Sequence, residues 1–407
     1  MIKGINVLSL FDGCSGGQQA LDRLDIKVDN YYASEIDKYA IQVTMANYPN
    51  TIQLGSVVDV DVTKLEKIDL LCGGSPCQSF SFAGKRKGMS TKDSIEILTL
   101  EHYLDLKSQN FEFEGQSYLF WEYIRILTDI RKYNPDVKFL LENVMMGAKW
   151  QKVLANGIGI NPIEINSSLL SAQNRRRLYF TNIGAEQDGL FGDLVCKIPQ
   201  PKDMGILLKD ILEEQVDDRY YLSSKMLELL TFKDKGNGEV ANINKGGERG
   251  SVYDENYKMS TLCATDYKQP KQIICHNTMP RSSKTGKGGT GPLSRDDGKT
   301  YCLDTGRTNA IEIKHKYHDE IQKSLSNEKS TTLDASYYKG FGVRSGACRQ
   351  VASNESRIRR LTPLECERLQ CIKDNYTAHV SDTQRYKMIG NGWTISVISH
   401  IFSSLKA

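Results

Sequence analysis

What the chain lacks narrows its class before any motif is read. No stretch of its 407 residues approaches the roughly 18 to 20 apolar residues a membrane helix needs, so no membrane attachment is expected. Met1-Ile2-Lys3-Gly4 opens directly into a strand pattern, without the long apolar core and cleavage site of a secretory leader. Neither sign of charge dominates: 53 basic and 50 acidic residues leave +3. Affinity for nucleic acid would therefore have to come from local basic clusters. Ten cysteines are scattered without the paired spacing of a metal site or a disulfide framework, which points to a reducing cytoplasm and no bound metal.

What is present is a long chain with two textures. At 407 residues it can bury a large core and is expected to hold two domains. From Met1 to about Ile183 short apolar runs alternate with amphipathic ones. Ile5–Phe11, Tyr31–Ile36, Ile68–Gly73, Phe139–Val144, Ile163–Asn166 and Leu178–Ile183 read as strands. Gln18–Leu24 opens a helix, and in Tyr118–Lys132 the apolar Phe120, Ile124, Leu127 and Ile130 recur at helical steps. This alternation predicts an α/β unit, a mostly parallel sheet covered by helices on both faces. From about residue 196 to 350 the chain is rich in Gly, Lys, Ser, Thr and Asp, and reads as a small, irregular, β-leaning module. Helical pattern resumes at Thr362-Pro363-Leu364-Glu365 and ends in Trp393–Leu405, so the module is expected to be inserted into one domain.

The most informative stretch is Gly73-Gly74-Ser75-Pro76-Cys77-Gln78, which presents a cysteine at the carboxyl end of a strand, where α/β sheets collect ligands. The two glycines and the proline predict a sharp, stiff turn. A reactive thiol needs such a held setting; taken alone, a buried core cysteine is the commoner reading. The first strand runs into Phe11-Asp12-Gly13-Cys14-Ser15-Gly16-Gly17, a Gly-rich turn opening a helix, with Glu35 ending the next strand. This pair fits an adenosine-containing cofactor, shared by dinucleotide enzymes and S-adenosylmethionine users. The turn lacks Gly-x-Gly-x-x-Gly, which favours a cofactor without pyrophosphate. Glu142-Asn143-Val144 sets an acid at the same sheet edge, or else a capping acid. A thiol with a neighbouring carboxyl suits attack on an electron-poor heterocycle. In Gln173-Asn174-Arg175-Arg176-Arg177, strand alternation puts Arg175 and Arg177 on one face; the plainer alternative is an edge-strand charge cluster.

Together, and in this order, these segments resemble the C5-cytosine DNA methyltransferases, along the whole chain outside the loop-rich module. Arg360-Leu361-Thr362 with Glu365, Arg368 and Leu369, and Gly390-Asn391-Gly392, extend the likeness. Leu8–Gly13 and Tyr32–Glu35 are similar to the animal de novo branch, Gln78 and Asn391 to bacterial or phage enzymes. The resemblance implies a Rossmann-like S-adenosylmethionine-dependent methyltransferase domain in 1–195, a smaller β-rich target-recognition domain in 196–350, and a return to the first domain in 351–407. It implies that Cys77, Glu142, Arg175 and Arg177 act on the base. Around the cofactor it implies Phe11, Asp12, Gly13, Gly16, Glu35, Ile36, Ser56, Val57, Asp59, Pro76, Asn391 and Trp393. Gln78, Ser81, Lys85, Arg86 and Gln173 would meet duplex DNA, with Lys85 and Arg86 on a mobile loop reaching phosphates.

The implied reaction is methyl transfer to C5 of a flipped cytosine through a Cys77–C6 adduct. The implied enzyme is cytoplasmic and monomeric, with a cognate restriction endonuclease as a partner to look for. The chain departs from the family pattern at Ser15, where a second glycine is usual, and at Gly55-Ser56-Val57, where an adenine-binding acid is usual; Asp59 is the substitute at hand. The segment from Asp93 to Gln116 is longer than the family's. A tRNA cytosine methyltransferase and a DNA-binding protein without catalysis are the rival readings; intact Cys77 and Glu142 weigh against the second.

Overall fold

The computed structural model describes residues 4–76, 89–189, 192–221, 231–232, 239–242, 251–254, 257–262, 272–276 and 356–406. The chain divides into two compact units: Met1–Leu212 with Lys258–Lys268 and Pro363–Ala407, and Glu213–Tyr257 with Gln269–Thr362.

The first unit alternates as its apolar runs predict: β1 (Ile5–Leu10), α1 (Gly16–Asp22), β2 (Val28–Ser34), α2 (Lys38–Asn47), β3 (Ile52–Gln53), β4 (Leu70–Gly74), α3 (Leu100–Ser108), α4 (Phe120–Tyr133), β5 (Lys138–Val144), α5 (Ala148–Ile158), β6 (Ile163–Asn166), β7 (Gln173–Asn174) and β8 (Arg176–Thr181). Seven of these strands form one sheet in the order β3-β2-β1-β4-β5-β8-β6. All neighbours are parallel until β8, which runs antiparallel to both β5 and β6. β1 is an interior strand between β2 and β4, and its Val7, Leu8 and Leu10 are fully buried, the near-continuous apolar run of a strand covered on both faces. Phe120, Ile124, Leu127 and Ile130 of α4 are buried as their spacing requires, and Arg131 and Lys132 sit in its last turn, where the helix dipole favours cations.

Beyond β8, β9 (Ala185–Gln187) and β10 (Leu194–Cys196) form an antiparallel hairpin. The second unit carries β11 (Thr231–Phe232), β12 (Glu239–Asn242) and β13 (Ser251–Asp254). Next in the chain, β14 (Met259–Ser260) belongs to the first unit and pairs with β7. β15 (Gln272–His276) and β16 (Ser356–Arg360) complete a five-stranded sheet in the second unit, order β11-β12-β13-β15-β16. The first unit then takes back α6 (Pro363–Leu369), α7 (Asp382–Asn391) and α8 (Ile395–Phe402). α8 packs on α1; Arg23 Nη1 donates to Ser396 Oγ at 3.0 Å and Ser399 Oγ to the Ala20 carbonyl at 3.4 Å. The first unit therefore runs on to Leu212, past the boundary expected at 196, and reclaims 258–268.

No helix among the described residues is long and apolar enough to cross a membrane. No group of three or more His, Cys, Asp or Glu among them is arranged to hold a metal ion.

Candidate active site

The turn after β1 is built from left-handed residues: Phe11 at φ 56°, Gly13 at 58° and Ser15 at 62°. Such angles cost a non-glycine residue energy, so the turn needs over-determination from its surroundings. Asp12 supplies part of it. Its buried carboxylate accepts from Ser15 Oγ at 2.8 Å and Tyr31 OH at 2.9 Å. Burial raises its pKa to about 6, against the lowering effect of those hydrogen bonds. Glu35 supplies the rest: one oxygen accepts from the Gly13 amide at 2.8 Å, the other from the amides of Ile36 and Asp37 at 2.7 and 2.8 Å. A single carboxylate thus ties the turn after β1 to the turn after β2. Ile36 beside it is 72% exposed, an apolar side chain held out where a planar ligand could lie against it.

A third turn follows β3. Gly55 is left-handed at φ 75°, and Ser56 caps the short 3-10 turn Val57–Asp59 by accepting from the Val58 amide. Val57 is buried and Asp59 exposed. Side chains added at Gly13 or Gly55 would meet nothing within 4 Å, so both turns face open space.

The second cluster lies at the carboxyl ends of β4 and β5. Gly74 is in register with Glu142, and Glu142 with Tyr179 on β8. Glu142 Oε1 is 2.9 Å from Arg177 Nε, both side chains largely buried. Asn143, 1% exposed, donates to Ser75 Oγ at 3.0 Å and fixes the residue two places before Cys77. Gly73 and Gly74 are the last residues of β4 and have no positive φ. They belong to the strand itself, and the turn expected around Pro76 and Cys77 runs into residues outside those described; Gly73 and Gly74 are glycines because other groups come close. A Cβ on Gly73 would lie 2.7 Å from the Leu10 carbonyl, and one on Gly74 2.9 Å from Trp393 Nε1 and 3.1 Å from Glu142 Oε2. A Cβ on Gly16 would lie 3.5 Å from the same indole. The Trp393 ring therefore spans from the start of α1 to the tip of β4.

Arg175 and Arg177, expected on one face, are separated. Arg175 falls in the break between β7 and β8, so strand alternation does not carry through it. It is buried and donates to the carbonyls of Leu262, Gly390 and Gly392. Gln370 Nε2 grips the same turn through the Ile389 carbonyl at 2.9 Å. Arg175 and Gln370 thereby hold the segment that presents Trp393, while Asn391 between them is exposed. Gln173, fully buried, accepts from the Leu262 amide at 3.0 Å, an internal role rather than a surface one. Pro76 is half-buried; Cys77, Gln78, Ser81, Lys85 and Arg86 lie outside the described residues. The Asn143–Ser75 tether and the Gln370 contact were not foreseen; the first has a sequence trace in the Glu-Asn pair itself.

The donor set around the first three turns fits an adenosine cofactor. It combines exposed apolar surface at Ile36, a carboxylate at a strand end with a free lone pair on at least one oxygen, an exposed acid at Asp59, and two glycine turns open to a ligand.

The family profile for the C-5 cytosine-specific DNA methylase matches residues 5–103 and 167–407. The chain belongs to that family. As a C5-cytosine DNA methyltransferase it is 30% identical to the orphan methyltransferase M.SPRI of Bacillus phage SPR, over 98% of this chain and 97% of that protein. It is 25% identical to the type II methyltransferase M1.ScrFI of Lactococcus lactis subsp. cremoris, over 97% of this chain and 76% of that one. Among solved structures, a mutant form of DNMT2 of Spodoptera frugiperda shares the Rossmann-like fold with a TM-score of 0.55 at 17% identity, covering 99% of this chain and all of that one. The profile leaves residues 104–166 unmatched, the stretch that contains α4 and Glu142.

Proposed function

We propose that this methyltransferase modifies C5 of a cytosine turned out of duplex DNA at a specific sequence, with Cys77 as nucleophile and S-adenosylmethionine as methyl donor. The observation that carries the reading is the Glu142–Arg177 pair beside Gly74, with Asn143 holding Ser75 just ahead of Cys77 in the chain. A duplex cytosine is out of reach of any such edge, so the base has to leave the stack.

Cys77, as thiolate, forms a bond to C6 while the C5–C6 π bond breaks and its electrons move into the ring. Glu142 meets the growing charge with a hydrogen bond or proton at N3, and Arg177 fixes the orientation of that carboxyl. Bound S-adenosylmethionine supplies an electrophilic methyl on a sulfonium sulfur. Once C5 had received the methyl, with the bonding pair left on the cofactor's sulfur, the C5 proton would pass to a water. Its bonding pair would re-form the C5–C6 π bond, and the C6–S pair would leave on the Cys77 thiolate as Glu142 regains any proton lent to N3. Glu35, Ile36 and the Val57–Asp59 turn would hold the adenosine, with Phe11 and Trp393 as walls nearer the sulfonium.

Lys85 and Arg86 would contact phosphates, and the second unit would read bases. The likeness to phage orphan and type II enzymes supports a cytoplasmic enzyme, acting alone or beside a cognate endonuclease. Methylation-aware sequencing of DNA from cells that express the protein tests activity and target together. Cys77→Ala should abolish transfer while leaving DNA binding, and duplex with 5-fluorocytosine at the target should trap the wild type, since fluorine cannot leave as a proton. A Cys77→Ala enzyme with near wild-type transfer would overturn the mechanism.

A further inference from the structure

Glu122 on α4 is fully buried and stands outside the site described above. Its carboxylate accepts from Tyr103 OH and Lys107 Nζ of α3, and from Arg125 Nε at 2.6 Å. With its Nε edge engaged this way, the Arg125 guanidinium turns its two terminal nitrogens to the turn after β3. Nη1 donates to the Val60 carbonyl at 3.2 Å, and Nη2 to those of Val57 and Val60 at 3.3 Å each. Those two carbonyls bracket the 3-10 turn, whose own bond runs from the Val60 amide to the Val57 carbonyl. The buried side of the turn is thus gripped at both ends, and its outward residues are Val58 and Asp59.

We propose that Arg125 is a positioning residue for the cofactor, a clamp that fixes the Val57–Asp59 turn in the shape that receives the adenosine. This rests on the reading that the turn borders S-adenosylmethionine. The planar fork of an arginine can bridge two carbonyls while its Nε edge stays bound to a carboxylate; a lysine carries the charge but a single nitrogen. The long segment before α4 has a purpose here. α3 contributes Tyr103 and Lys107, which complete the shell of the carboxylate that orients Arg125. An unpaired buried carboxylate would be costly, so the four side chains stand or fall as a set.

The test is titration calorimetry of S-adenosylmethionine, and separately its demethylated product, into full-length Arg125→Lys, Glu122→Gln and, as control, Glu35→Ala. Arg125→Lys keeps the charge and is the variant expected to fold; Glu122→Gln keeps the shape. Weaker cofactor binding by roughly five- to tenfold in Arg125→Lys, of the size one ordinary hydrogen bond carries, supports the clamp. DNA affinity and kcat at saturating cofactor should stay within about twofold, a split between KM and kcat that mere loss of folded protein would not produce. Wild-type cofactor affinity in Arg125→Lys, with clear weakening in Glu35→Ala, overturns the clamp and leaves the cofactor site standing. Wild-type affinity in both overturns the cofactor assignment and the clamp with it.

Discussion

The Trp393 indole and the Glu142 carboxylate converge on the space that a side chain at Gly74 would fill. Gly74→Ala should therefore displace one of two groups at the sheet edge, though it adds a single methyl. A shift near 1 Å at a reacting centre can cost about a hundredfold in rate. The expected outcome is a loss of methyl transfer of at least about tenfold in single-turnover assays, with the cost in stability limited to the roughly 1 to 3 kcal/mol of overpacking. An enzyme with wild-type turnover would mean that the ring and the carboxylate have room the structure does not show.

The two arginines of the Gln-x-Arg-x-Arg segment should fail in different ways. Arg175→Ala leaves three backbone carbonyls without a charged donor, and thermal unfolding should show it less stable by roughly 2 to 4 kcal/mol. Arg177→Ala removes the partner of Glu142, whose side chain keeps 12% exposure and so some solvent. Its expected signature is a fall in kcat of at least about tenfold with a smaller loss of stability. Equal behaviour in both assays would argue against separate tasks.

Asp12 predicts a pH dependence with a definite sign. Its folded pKa, about 6, stands above the ordinary 3.8, so the folded state holds the proton more tightly than the unfolded chain. Its contribution therefore turns against the fold as pH rises from about 4 to about 6, by on the order of 1 to 3 kcal/mol. Asp12→Asn cannot ionise. The stability of this variant relative to wild type should climb across that window and level off above it. Unfolding midpoints at pH 4, 5, 6 and 7 check this, and a constant difference would refute it.

Much of the first unit is legible because buried parallel strands leave apolar runs; Ile163–Asn166 matches β6 residue for residue. β2 begins at Val28, three residues before its apolar run, with Val28 and Asn30 paired to Ile5 and Asn6. Asn30 Nδ2 donates to Asn6 Oδ1 at 2.9 Å, and Asp29 accepts from the Gly4 amide at 3.0 Å, so polar contacts carry the start of the strand. α5 carries a readable signal, Trp150, Leu154 and Ile158 at four-residue steps, all buried. Gly73-Gly74 is conspicuous in the sequence, yet the cause is crowding from residues far along the chain, which no local pattern encodes. The Arg125 and Arg175 contacts are the least legible of all. Apart from the Glu122 carboxylate on the same helix as Arg125, their acceptors are carbonyl oxygens, which every residue has, so those partners leave no mark in the letters.

The excursion of the chain into the second unit begins and ends close together on the first. Arg368 Nη1, five residues after that unit resumes, donates to the carbonyls of Ile211 and Leu212 at 3.1 and 3.4 Å. Such adjacency, a clasp within the first unit itself, lets the excursion vary in length without straining its host. The clasp has a second stitch. Met259 and Ser260 pair with Gln173 and Asn174, and Leu262 bonds Gln173 and Arg175 through its backbone. A recombinant that exchanges everything between the two ends would cut that stitch and loosen Arg175, and with it the turn bearing Trp393. An exchange of the second unit between related chains would thus be expected to swap two blocks around a kept 258–262, leaving the turn that bears Trp393 undisturbed.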